Sequence, residues 1–583
     1  AVQVDAGSGR IALGNAGNRF GGALNLSGGD INVTGDTLLL GNVAASGQLS
    51  LASAGDIRQQ GAAQVGGTTR LSAGGDIDLQ AGGNRFGDAV TVEGRQVALA
   101  SDGPLQLQGV TADGLAARSA GHLTLSTANV AGDVTLQGQQ LHFGTTRVGG
   151  NLQAVGSNGI DQDGTLRVDG SADLRSNASI ALGLAGNDLR GAVSLAGAGI
   201  DLTSAGDLRI GSLDSRSAAV RLQAGGALDL PSGTIDTGNG DLQLQAGGAL
   251  RLPAALRGNN ITLRSGQDLQ LGQDVLAGGV LQLASGGTLT QTGGVLAAQR
   301  LQGSAGGKAS LRGDNRIATL GDFGSQGLEL KTMQGLQVTG NVQAGAQGLL
   351  DVRGGDLLLD GSVQAGGLRL QSSGAIRAGA GGRLLADQLS GRAAGPTMLG
   401  DASLFVANAI GTLGDFQSPA GFSLTNAGTL TLASLNGSAF SVDAGNNGFH
   451  LKVQGGDIRQ LGTTPVLAGD SHWWSSGGIG TQPLPIYLTS AGRTHTIDFI
   501  GRPPAYFHAV GTDGRPLVVG DGPDPEAMRP GVLAQGAVLP RAVYVDAAAA
   551  AVEQRAIGIT YPGIRLPAGT ARACDGDAAG CVQ

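Results

Sequence analysis

The chain has 583 residues, of which 107 are glycine, 17 proline and two cysteine, with 3% aromatic residues and a formal net charge of −8. Glycine without a Gly-X-Y period excludes collagen, 41% hydrophobic content excludes a disordered linker, and sparse, net acidic charge argues against a nucleic-acid partner, which needs a basic footprint. With no window of 18 uncharged apolar residues and no charged-then-apolar start, neither a transmembrane segment nor a signal peptide is expected, and because residue 1 begins inside a repeat, the chain reads as a piece of a longer polypeptide.

From the amino end, apolar residues alternate over short runs. Leu24/Leu26, Ile31/Val33 and Leu38/Leu40 are followed by Ile77/Leu79, Val90/Val92 and Val97/Leu99. Period two marks strands with one buried face. The runs are separated by "GGD", "AGD", "SGG" and "NG", which is turn chemistry, and no helical period lies between them. Further along, "LQAGGALDLP" (Leu222–Pro231) returns as "LQAGGALRLP" (Leu244–Pro253), 22 positions later. "LQLQAGGALRL" (Leu242–Leu252) returns as "LQLASGGTLTQ" (Leu281–Gln291), 39 positions later. Units of about 20 residues with two or three short strands each are solenoid repeats. The expected fold is therefore all-β, a parallel β-helix over residues 1–460, with coils about 4.8 Å apart. Leu24, Leu26, Ile77, Leu79, Val90, Leu228, Leu250 and Leu289 should point inward. Asp229 and Arg251 should face the same way on neighbouring coils.

Parallel β-helices also carry polysaccharide-degrading enzymes, which need clustered carboxylates. Here Glu93 and Glu329 are the only glutamates before residue 460, and aspartate sits in "GD" turns at Asp30, Asp56, Asp76, Asp207, Asp241, Asp356 and Asp457. There its side chain should bond nearby backbone N–H groups. No catalytic residue, metal ligand set or cofactor is expected on the coils, and the enzyme reading stands as the rival.

Near Gly455 the composition changes. Twelve of the 17 prolines lie between Pro465 and Pro567, with both tryptophans and all four tyrosines. "RAVYVDAAAAAVEQRA" (Arg541–Ala556) is the one helix candidate. Residues 461–583 are expected to form a small mixed module that caps the open end of the solenoid. Trp473, Trp474, Tyr506 and Phe507 then read as cap core, with an exposed binding patch as the alternative. His472, His495 and His508 share this module without metal-ligand spacing. Both cysteines, Cys574 and Cys581, lie at the carboxyl end with six residues between them. A ring that small adds less than ~3 kcal/mol to stability. On their own the two thiols leave open a local staple on a fraying end or a crosslinked knob that resists passage through a narrow pore.

"GNRFGGALNL" (Gly17–Leu26), "NRIATLGDF" (Asn315–Phe323) and "GGDIRQLG" (Gly455–Gly462) together resemble filamentous haemagglutinin-like exoproteins of two-partner secretion systems, over roughly residues 1–460. The resemblance implies a right-handed β-helix, export through an outer-membrane transporter partner, and adhesion to a polysaccharide or to a host or bacterial surface. The family's amino-terminal secretion domain is missing, which fits a carboxyl-terminal portion. High-molecular-weight and cyclic-di-GMP-regulated biofilm adhesins carry a similar terminal cysteine pair as a disulfide hook, and Cys574 and Cys581 match it by position and spacing. The implied protein is an adhesin or biofilm-matrix component held at the outer surface with its carboxyl end in the periplasm. A β-helix enzyme and the stalk of a contact-dependent toxin are the alternatives.

Overall fold

The computed structural model describes residues 1–400, 408–490, 497–501 and 505–514. The chain divides into two units, Ala1–Gly287 and Thr288–Gln583. Each is a parallel β-solenoid, and no helix occurs among the described residues. The helix candidate Arg541–Ala556 and the cysteines Cys574 and Cys581 lie outside the described residues.

In the first unit the sequence echoes are the coil register. Val220 pairs with Leu242, Leu242 with Ile261, and Ile261 with Leu281, so the 22-residue echo is one step and the 39-residue echo is two. The same steps stack Leu222, Leu244, Leu263 and Leu283, all fully buried. Alternation follows from the pleat: the strands Leu24–Gly28 and Ile31–Gly35 bury every second residue. All eight residues expected to face inward are at most 2% exposed. A buried leucine contributes about 1.5–3 kcal/mol, so the apolar columns set the register. Charge does not: Asp229 lies 3.8 Å from Arg209 of the preceding coil, with both side chains largely exposed, and such a pair is worth under ~1 kcal/mol. The register sets Leu228 beside Leu250, so Asp229 and Arg251 face outward on neighbouring coils as expected, with Arg209 before them and Gln270 after them in the row.

Glycine content has a local cause where coils turn. Gly225, Gly247, Gly266 and Gly286 stack on successive coils, and a Cβ on any of them would collide with the carbonyl of the coil before. The turn aspartates are structural, as expected, but they reach further than their own turn. Asp30 accepts from the Gln48 N–H (3.0 Å), Asp207 from Ala227 (2.8 Å), Asp356 from Ala375 (2.7 Å) and Asp457 from Gly478 (2.9 Å). Asp56, Asp76 and Asp241 do likewise. Each carboxylate ties its coil to the next one.

A second tie is buried. Asn187, fully buried, accepts from the Leu166 N–H (2.9 Å) and donates to the Leu182 carbonyl (2.9 Å). Its amide also pairs both ways with Gln162, each bond 2.8 Å. Gln59 and Asn84 repeat the arrangement in the first unit, and Gln291 and Asn315 repeat it in the second. Buried amides of this kind are stable only when fully satisfied.

The second unit uses the same ladder, with Leu330, Leu350 and Leu370 in one column. Toward its end leucine gives way to aromatic rings. Phe416, Phe422, Phe449, Trp473 and Phe507 follow one another inside the coils, with centroids 4.8–5.6 Å apart. Parallel pairing continues past residue 460: Ser471–Ser475 lies beside Phe449–Gln454, and Phe507–Gly511 beside Ile486–Ser490.

A candidate ligand-binding groove

Of the aromatic residues singled out in the sequence, Trp473 and Phe507 are interior, each 1% exposed. Trp474 and Tyr506 are half-buried on the outside, and the Lys452 ammonium stands 5.3 Å from the Trp474 ring centre. The four therefore do not form one patch. Strand alternation sends the two adjacent tryptophans to opposite faces. His472 stacks on His450 with ring centres 4.5 Å apart, whereas His508 lies against Tyr487 on another row. His495 is outside the described residues. Among the described residues no His, Cys, Asp or Glu group has a metal-binding arrangement.

Two polar constellations were not visible in the sequence. On the outside of the first unit, the two ring nitrogens of His142 face Asp161 and Asp163, and Gln140 donates to Asp161. Partial burial alone would lower the imidazole pKa, but the hydrogen bonds and charges of the two aspartates outweigh it and hold it above its usual value. With both ring nitrogens committed to aspartates, this imidazole reads as a structural element of the coil surface.

The other constellation is a groove of about 810 Å³ in the second unit. Its floor is an outward row on successive coils. Register sets Asp351 beside Gln371, Gln371 beside Arg392, Arg392 beside Gln417 and Gln417 beside Asp443. One wall is the segment 434–441, between the strands Leu430–Ala433 and Val442–Asp443. Asp415 fixes that wall from a left-handed backbone position (φ 53°), which aspartate tolerates better than most residues. Its carboxylate accepts from the Leu435 N–H (3.1 Å), Ser434 Oγ (3.2 Å) and Asn436 Nδ2 (2.9 Å). Phe440, half-buried, lines the groove from this segment.

The charges on the floor are unequally matched. Asp351 is only 7% exposed although it is on the outer face, and it pairs with Arg353 Nε at 2.7 Å. With its amide turned so that both ends are satisfied, Gln371 bridges onward: its oxygen receives Arg369 Nε and Nη2, both at 2.9 Å, and its nitrogen reaches Asp351 at 3.3 Å. Arg392 is exposed, with amides as its register neighbours on either side. The spacing Gln371, Arg392, Gln417 becomes a row only once each coil length is known, so nothing in the sequence distinguished these residues.

Residues 1–27, 28–93 and 131–196 match the model of a family described as repeats of unknown function (DUF5649). The matches cover well under half of the chain. Gln59 with Asn84 and Gln162 with Asn187 occupy equivalent places in the two longer stretches, so the buried amide pair is part of what repeats. Gln291 with Asn315 shows the same device beyond the matched stretches. No curated protein and no solved structure matches the chain.

Proposed function

We propose that this protein is a surface-retained bacterial adhesin or biofilm-matrix protein that acts by binding and not by turnover. The observation that carries the reading is the repeated coil itself: a narrow apolar interior, closed by coil-to-coil ties, that presents row upon row of outward hydroxyl, amide and scattered charged side chains. The row Arg221, Gln243, Thr262, Gln282 in the first unit is an example, on strands that stack in strict register. Such rows make a broad, flat, hydrogen-bonding face suited to a polysaccharide or a cell-surface ligand. The resemblance of three segments to filamentous haemagglutinin-like exoproteins supports export by two-partner secretion through an outer-membrane transporter.

In this reading Cys574 and Cys581 form an intramolecular disulfide in the periplasm that halts the last stretch of export. The test is quantitative immunoblotting of cell and culture-medium fractions. Cys574→Ser or Cys581→Ser should move the protein from the cells to the medium, and the double variant should add nothing. The melting temperature should not change, because the ring is too short to matter for stability. Serine variants that stay cell-bound would sink the anchor.

A further inference from the structure

We infer that the groove of the second unit is a subsite for the carboxylate of an acidic polysaccharide, a uronate unit in an extended chain. The inference deepens the adhesin reading, on which it rests, by naming a ligand class. The argument begins with Arg392. Its guanidinium has no hydrogen-bond or ion-pair partner among the described residues, whereas most arginines near it are held. Arg353 is neutralised by Asp351 at 2.7 Å. Arg369 is bound through Gln371, which also contacts Asp351. Asp415, which holds the wall, has both oxygens committed to the segment 434–441. Asp443 spends one oxygen on the Gly445 N–H at 3.0 Å. Of the two cations here without a carboxylate partner, Arg369 has Nε and Nη2 on the Gln371 amide, so the fork left entire for a visitor is that of Arg392, which matches a carboxylate in two parallel hydrogen bonds.

The surroundings fit a sugar better than a bare anion. Gln417 and Gln371 flank Arg392 along the row, about one coil spacing to either side. Gln417 offers an amide donor and acceptor, and Gln371 its remaining N–H, at a spacing close to that between a carboxylate and ring hydroxyls. Phe440 on the wall supplies a half-exposed apolar face, against which the C–H face of a sugar ring packs. An acidic peptide would satisfy Arg392 equally, but it would leave the flanking amides to compete with its own backbone.

The test is binding of a galacturonate hexasaccharide to the intact protein, measured by titration calorimetry, with the fully methyl-esterified hexasaccharide as the neutral control. The acid form should bind and the ester should bind at least about tenfold more weakly, as expected for losing one charge-assisted pair. Arg392→Gln should weaken the acid form by a similar factor with the melting temperature unchanged, since this arginine holds nothing in the fold. Arg392→Lys should recover part of the loss, and Phe440→Ala should weaken both forms. Arg264→Gln, in the first unit, should change nothing. Equal binding of acid and ester, no binding of either, or a poly-glutamate peptide that binds more tightly with the same dependence on Arg392 would each overturn the inference. None of these outcomes bears on whether the cysteine variants leave the cell.

Discussion

Replacing Asn187 by alanine removes the centre of a buried tie and leaves its partners in place. The Leu166 N–H and the Leu182 carbonyl, bonded at 2.9 Å in each case, lose their only side-chain partner. Gln162 is half-buried and keeps its bond to the Gly164 carbonyl (2.7 Å), so it can turn toward water. The expected cost is the two backbone groups at ~1–3 kcal/mol each, or about 3–5 kcal/mol with the small void that alanine leaves. Asn187→Asp should be no better. It keeps an acceptor for Leu166 but places a carboxylate against the Gln162 Oε1 and the Leu182 carbonyl. Solenoids need not unfold in one step, so the informative assay is amide hydrogen exchange resolved by peptide. Protection around Leu166 and Leu182 should fall by about two to three decades, while peptides around Leu330 and Leu350 stay as they were. A loss under ~1 kcal/mol, or a uniform change across the chain, would refute the idea that the amide pair is a local clamp.

Two further outcomes concern pH. Asp56 and Asp457 have pKa values held down, first by hydrogen bonds from the backbone N–H groups of Asp76 and Gly478 and then by Arg58 and Arg459. Their contribution is present above the unfolded value near 3.9 and is lost as pH falls through the folded pKa; the Asp56→Asn, Asp457→Asn double variant should show a shallower acid limb in melting temperature against pH, and an unchanged limb would contradict this. His142 has the opposite sign. Its folded pKa lies above the usual 6.5 because two aspartates outweigh its burial, so its contribution is full below about pH 6.5 and fades as pH rises through the folded value. His142→Gln should remove that slope from thermal melts taken across neutral pH, and a slope that persists would place its origin elsewhere.

The core was legible because two independent regularities agreed. Alternation placed Leu228, Leu250 and Leu289 inside, and the 22-residue echo supplied the register that stacks Leu228 on Leu250, as it does Leu222 on Leu244. Of the four aromatic residues that read as cap core, Trp473 and Phe507 are interior and continue the column of rings from Phe449, because a coil accepts a ring wherever its neighbours are also rings. Asn84 and Asn187 carry no local mark of burial in the sequence. Their burial depends on a glutamine 25 positions earlier, a separation that local turn chemistry cannot reveal. Arg392 looked like any other surface arginine. What distinguishes it is the set of partners taken up by others, and that is a property of neighbouring coils.

In each aspartate tie described here the acceptor is made before its donor, and in the buried amide tie, where bonds run both ways, the glutamine is made before the asparagine. Asp30 precedes Gln48, Asp207 precedes Ala227 and Asp457 precedes Gly478; Gln162 stands in the chain ahead of Asn187. A chain emerging amino end first, from a ribosome or a pore, therefore always offers a finished edge with its carboxylates and amides in position. The next twenty residues need only settle onto it, and no coil has to wait for a distant part of the sequence. Growth by accretion of this kind converts each bond into a small ratchet against backsliding.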